Sequence, residues 1–150
     1  MYEVVPLDAR HVGAMERIEY ASFSSPWSRK MLEDELVNRR AVYFVAEDGG
    51  AVLGYAGMHV VLDTGYVTNV AVTPAFRRMG IARSLMERLI AEARDRELRD
   101  MTLEVRQSNY AAAALYESLG FTKAGRRRAY YTKPVEDAFI MTLYLGEDTA

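Results

Sequence analysis

The chain has no cysteine among its 150 residues, which excludes disulfides, thiolate metal sites and a cysteine nucleophile. It also lacks a dominant charge, with 19 basic residues against 21 acidic ones. A protein held to nucleic acid by phosphate contacts would be basic, so direct nucleic-acid binding is not expected. Long hydrophobic runs are missing too. The longest, "AVLGYAGMHVVL" (51–62), falls short of the roughly 18 apolar residues that suggest a membrane span. The opening "MYEVVPLDAR" has no secretion-signal layout. His11 and His59 lie far apart without metal-ligand spacing, so no metal is expected. These absences fit a soluble, cytoplasmic protein with no membrane attachment.

Half of the residues are hydrophobic, enough for one domain across 1–150 with a single good core. "YEVVPL" (2–7) reads as a strand, and Asp8 as the cap of a helix carrying Val12, Met15 and Ile18. Ser28 can cap a second helix. "AVYFVAE" (41–47), "DGG" and "AVLGYAGMHVVL" form a hairpin pattern, and "DTG" turns the chain into the strand "YVTNVAV" (66–72). Residues 81–96 carry Ile81, Leu85, Met86, Leu89, Ile90 and Ala93 at helical spacing. "MTLEV" (101–105) is a further strand. Ser108 is the expected cap of "NYAAAALYESL", and Gly120 its left-handed end. Two strands, 121–131 and 138–146, complete a mixed α/β (α+β) layout with a central mixed sheet and helices on both faces.

Between strand 66–72 and helix 81–96 lies "TPAFRRMGIA" (73–82). A glycine-bearing loop that runs straight into a helix offers unpaired N–H groups backed by the helix dipole, which suits a pyrophosphate. Arg77, Arg78 and Arg83 add charge. On composition alone the loop is equally a solvated basic segment, and it is neither a dinucleotide fingerprint nor a P-loop.

Two residues fit poorly in "LEVRQSNYAAAALYESLGF" (103–121). Glu104 shares a strand face with Thr102 and Arg106, opposite Leu103 and Val105, and alone reads as a solvated carboxylate. Tyr116 alone is a packing aromatic, and Asn109 a helix-start residue.

The spacing Arg77-x-x-Gly80-x-Ala82 at the head of an amphipathic helix resembles the acetyl-CoA-dependent GNAT N-acetyltransferase superfamily. "SPWS", "LEVR-x-SN", "LYE-x-LGF", "YY" and "EDA" are similar to its RimI type, the bacterial N-terminal protein acetyltransferases. The resemblance implies a sheet splayed between strands 4 and 5 with acetyl-CoA in the gap. It assigns the pantetheine arm to the backbone of Val70, Ala71 and Val72. The pyrophosphate falls to Arg78, Met79, Gly80, Ile81, Ala82 and Arg83, with Arg77 beside them and Asn109 as a further cofactor contact. Glu104 becomes the general base and Tyr116 the general acid. Trp27, Tyr130, Tyr131 and Glu136 become the acceptor's surroundings, although Tyr130 and Tyr131 also read as packing aromatics and Glu136 as part of a polar turn.

The implied acceptor is a protein N-terminus, and within the family the N-terminal alanine of a small-subunit ribosomal protein. Thr64-Gly65 and Met79 depart from the family pattern. Two alternatives stay open: transfer to a small amine or lysine side chain, and an acetyl-CoA-binding module without catalysis. The oligomeric state is open, with a monomer expected.

Overall fold

Alternating apolar residues and well-placed caps divide the chain into seven strands and four α-helices in the computed structural model, which describes residues 1–146. β1 is Glu3–Pro6. Asp8 then accepts from Arg10 N–H and opens a single 3-10 turn, Ala9–His11, which feeds α1, Val12–Ser22. Ser28 caps α2, Arg29–Glu35, by accepting from Met31 N–H at 3.2 Å. β2 (Ala41–Asp48), β3 (Ala51–Val61) and β4 (Thr64–Val72) form an antiparallel meander. α3 is Ile81–Asp95, β5 is Asp100–Arg106, α4 is Tyr110–Ser118, β6 is Thr122–Thr132 and β7 is Val135–Tyr144.

The last strand starts at Val135 and ends at Tyr144, displaced from the expected 138–146, and two further differences from the sequence reading bear on the site. β4 begins at Thr64, because the turn is Leu62–Asp63 and Thr64 and Gly65 already pair with Val61 and Val60. The cap of α4 is Asn109 instead of Ser108. The Asn109 carboxamide oxygen accepts from Ala112 N–H at 3.2 Å, while Ser108 N–H donates to Glu136 at 2.6 Å.

The strands lie in the order β1-β2-β3-β4-β5-β7-β6, antiparallel throughout except for β4 beside β5. Successive residues of β2 point to opposite faces and so feed two cores. Val42, Phe44 and Ala46 pack with Leu85, Met86 and Leu89 of α3 and with Tyr116 of α4. Tyr43 and Val45 pack with Val12, Met15 and Ile18 of α1 and Leu32 of α2. The helices therefore cover both faces, as the pattern predicted. No helix among the described residues is long and apolar enough to cross a membrane.

Candidate active site

The cleft exists because β4 and β5 part company. They pair only at Thr64–Asp100, Gly65–Met101 and Tyr66–Thr102, and the closed end is pinned by Thr64 Oγ1 donating to Asp100 at 2.6 Å. Immediately beyond, the β3–β4 register slips: Gly57 faces Asn69 and Met58 faces Val67, which leaves Thr68 as an extra residue. Such a bulge bends its strand and sharpens the twist, here at the point where β4 leaves β5. The Thr68 hydroxyl donates to Gly57 O at 3.3 Å and lies 2.7 Å from Tyr43 Oη, fixing the bend. A cleft of about 570 Å³ opens in the gap, walled by Val67–Val70 on one side and Leu103–Arg106 on the other.

Past Tyr66 the outer edge of β4 has no strand partner. Thr73 N–H donates to Leu53 O on β3. By antiparallel alternation, Val72 and Val70 then turn their N–H and C=O groups away from β3, whereas those of Ala71 face it. Of the predicted trio, Val70 with both groups and Val72 with its N–H, its carbonyl being taken by Arg77, are thus the backbone positions that an extended ligand arm can use as a strand edge. Ala71 keeps its side chain in the core with α1.

The predicted phosphate loop has an unusual backbone. Arg78 has φ +67°, Met79 returns to negative φ and Gly80 has φ +81° before α3 begins. Alternating signs of φ in a turn of this kind can gather N–H groups toward an anion, so the loop is nest-like and lies at the positive end of α3. The amides of Ile81, Ala82 and Arg83 add the free donors of the first helical turn. No neighbouring atom would meet a Cβ at Gly80, so backbone conformation, and not space, favours glycine there. Met79 is 63% exposed, consistent with use of its backbone alone. The arginines divide their work. Arg77 donates to Val72 O at 3.0 Å and to Ser22 Oγ at 3.1 Å, bracing the loop to β4 and α1. Arg83 reaches Ser118 on α4 and Glu87 on its own helix. Asn109 lines the cleft beyond the nest while capping α4.

Glu104 and Tyr116 line the same cleft from different elements. The Glu104 carboxylate is 25% exposed and accepts from Arg127 Nε at 3.2 Å. Its neighbours Leu103 and Val105 are buried in the core, so the strand's two-residue period drives Glu104 into the gap. Tyr116 is 8% exposed, and its ring packs against Phe121 with centroids 5.9 Å apart. Burial, and secondarily the neighbouring Tyr131, push its phenol well above the usual range, so it keeps its proton at neutral pH as a hydrogen-bond donor.

The other end of the cleft is lined by Trp27, Tyr130 and Tyr131. Tyr130 and Tyr131 meet edge to face at 5.0 Å, and the Arg106 guanidinium lies 4.3 Å from the Tyr131 ring centre. Burial, then Tyr130 and Glu104, push the Tyr131 phenol up to about 12. Glu136 stands outside the cleft lining. Its carboxylate accepts from Ser108 N–H and from Arg106, and the Ser108 bond above all holds it below the usual carboxylate range. It fastens the β5–α4 turn that carries Asn109.

Three residues of the site escaped the sequence reading. Glu19, 1% exposed, reaches the cleft from α1 and accepts from Trp27 N–H, Tyr55 O–H and Asn69 Nδ2. Asn69 in turn accepts from Tyr43 Oη at 2.6 Å. Arg106 joins Glu136 to the carbonyls of Lys133 and Pro134, tying the β6–β7 turn beside the Tyr131 end of the cleft. Glu19 had left a signal: it lies four residues after Met15 and seven after Val12, on the apolar stripe of α1, where a carboxylate is out of place. No hydropathy pattern marked Asn69 or Arg106. Among the described residues no cluster of histidines and carboxylates could hold a metal.

Residues 12–121 match the Acetyltransferase (GNAT) family. The chain is 40% identical over 145 residues to the [ribosomal protein bS18]-alanine N-acetyltransferase of Escherichia coli K12, covering 95% of this chain and 97% of that protein. It is 41% identical over 140 residues to the Salmonella typhimurium protein of the same name, covering 91% and 93%. The crystal structure of the E. coli ribosomal-protein-S18-alanine N-acetyltransferase superposes with a TM-score of 0.90 at 38% identity, over 100% of this chain and 99% of the other. A sheet parted at β4 and β5, a glycine-bearing loop at the head of α3 and a match across most of the sequence agree: this chain belongs to the GNAT acetyltransferase family.

Proposed function

We propose that the protein transfers the acetyl group of acetyl-CoA to the α-amino group of protein N-termini, with the N-terminal alanine of a small-subunit ribosomal protein as its acceptor. The single observation that carries this reading is the order of features along β4: the positive-φ loop at Arg78–Gly80 follows its end, its outer edge has no strand partner past Tyr66, and Val70 enters the lining of the cleft that contains Glu104 and Tyr116. The relatives named above, about 40% identical over nearly their whole length, carry that acceptor in their names. A ribosomal acceptor is met in the cytoplasm, in keeping with a chain that has no cysteine.

Acetyl-CoA supplies an activated thioester. The nest and the first turn of α3 hold its pyrophosphate, and the β4 edge aligns its arm. The acceptor α-amine has an ordinary pKa of about 8 and arrives mostly as ammonium. Glu104 takes its proton, directly or through one water. The freed amine attacks the thioester carbonyl, and the N–H of Val72 faces the growing negative charge on its oxygen. The carbon–sulfur bond then breaks, Tyr116 donates its O–H proton to the departing thiolate, and the surplus proton on the new amide nitrogen restores the tyrosine, directly or through one water. Direct transfer in a ternary complex is the economical route, since the chain has no cysteine thiol and the step needs no acyl carrier.

The test is CoA release with peptides that differ in their first residue. Turnover is expected only with a free α-amine and is expected to vary with that residue. Activity confined to polyamines or lysine side chains would sink the reading, and tight acetyl-CoA binding without turnover on any amine would point to a binding module. A second experiment addresses the nest. Gly80→Val places a β-branched residue at φ +81°, which disfavours the nest's backbone by roughly 1–3 kcal/mol. The KM for acetyl-CoA is expected to rise about tenfold or more, with the KM for peptide little changed. An unchanged acetyl-CoA KM would remove the nest from the pyrophosphate site.

A further inference from the structure

Two carboxylates line the cleft, and they differ in their company. Glu104 has Arg127 at 3.2 Å. Glu19 has no cation within salt-bridge distance among the described residues, although it is the more deeply buried of the two. The cationic side chain of the cleft lining, Arg106, is committed to Glu136, to two backbone carbonyls and to the Tyr131 ring. A buried carboxylate is expensive unless hydrogen-bonded and paired. Glu19 has the hydrogen bonds: Trp27 N–H donates to Oε1 at 2.7 Å, and Tyr55 O–H and Asn69 Nδ2 donate to Oε2. Those three donors leave about one of its four acceptor sites free. The positive charge is what the free protein lacks.

We propose that the acceptor supplies it, so that Glu19 is the residue that recognises the α-ammonium of the incoming N-terminus. This inference rests on the proposed function and adds a specificity determinant to it. The position suits the role. Glu19 holds Trp27 on one side and Asn69, the neighbour of Val70, on the other, and so sits between the acceptor wall and the donor's strand. At neutral pH most of the acceptor is ammonium. A carboxylate in a partly desolvated cleft attracts that cation more strongly than one in open water. The field that gathers the ammonium also makes its proton harder to remove. Glu19 therefore acts on capture of the acceptor, and Glu104, standing apart with its arginine, acts on the proton. An acylated or otherwise neutral terminus gains nothing from Glu19, and the finished product is released more readily for the same reason.

Glu19→Gln removes the charge and keeps the shape: the amide oxygen can still accept from Trp27 and its NH2 can meet the Tyr55 oxygen, while the lost bond from Asn69 Nδ2 affects a free-amine and an acetylated peptide alike. Binding to the CoA-loaded protein is measured for an alanine-starting peptide and for the same peptide N-acetylated. The variant is expected to lose about tenfold in affinity for the free-amine peptide and less than about twofold for the acetylated one. In turnover, the peptide KM is expected to rise with kcat unreduced. Equal losses for both peptides would mean that Glu19 merely positions the Trp27 wall, and no loss for either would mean that its charge is idle. Either outcome overturns the proposal. Should the variant fail to bind CoA, the wild-type protein decides. It must bind the free-amine peptide about tenfold more tightly than the des-amino peptide, in which propionyl replaces alanine, and equal affinities refute the proposal. A wild-type protein that acetylates no peptide at all would instead refute the proposed function.

Discussion

Glu104→Gln is expected to lower kcat on peptide substrates by about 10²–10³-fold, the usual contribution of a positioned general base, while acetyl-CoA affinity stays within about twofold of the parent. The substitution keeps the shape and one oxygen that can still accept from Arg127, so the wall of the cleft survives and only proton acceptance is lost. The pH dependence has a definite sign. Without a base, the variant can use only acceptor molecules that are already neutral, and below a pKa of about 8 that fraction grows about tenfold per pH unit. The gap between variant and parent is therefore expected to narrow as pH rises toward 9. Steady-state kinetics over this range, with acetyl-CoA binding measured separately, checks both points. A variant within about twofold of the parent at neutral pH would remove Glu104 from the chemistry.

Gly57→Ala is expected to destabilise the fold by about 3 kcal/mol and to weaken acetyl-CoA binding as well. A Cβ built on Gly57 would sit inside the ring of Tyr43, which is 5% exposed and anchored through its hydroxyl to Thr68 and Asn69. A rigid, bonded ring cannot yield as a flexible chain end would. Overpacking of this kind costs about 1–3 kcal/mol, and each displaced hydrogen bond adds about 1 kcal/mol. For a chain of this size that corresponds to a fall in Tm of roughly 6–12 °C. The functional loss follows from the same contact, because Tyr43 and the Gly57 carbonyl hold the Thr68 bulge that turns β4 from β5. Thermal melts and acetyl-CoA titrations are expected to fall together. A stable variant with intact binding would show that the bulge does not depend on this packing.

Much of this was legible beforehand, where local chemistry decides the outcome. The two-residue period of "MTLEV" put Glu104 opposite Leu103 and Val105, and the helical stripe of residues 81–96 fixed α3. The wall residues Trp27, Tyr130 and Tyr131 came from motif resemblance, and the structure places all three in the cleft lining. What could not be read depends on partners distant in sequence. Ser108 and Asn109 are both good caps, and Glu136, 28 positions away, settles the choice by occupying Ser108 N–H. Arg77 looked like phosphate charge and is spent on Val72 O. The bulge at Thr68 leaves no mark in hydropathy, because an extra residue is defined only by the strand opposite.

The outermost strand, β6, carries Lys123, Arg126, Arg127 and Arg128 and breaks register with β7 twice. On a chain with nearly balanced charge such a run looks idle. An unpaired strand edge is, however, a template on which a second molecule can add its own strand. Two β6 edges approaching one another would bring arginine against arginine across a kinked ladder. Like charges set opposite one another across a ladder are destabilising, so this rim is a poor template for a second copy of itself.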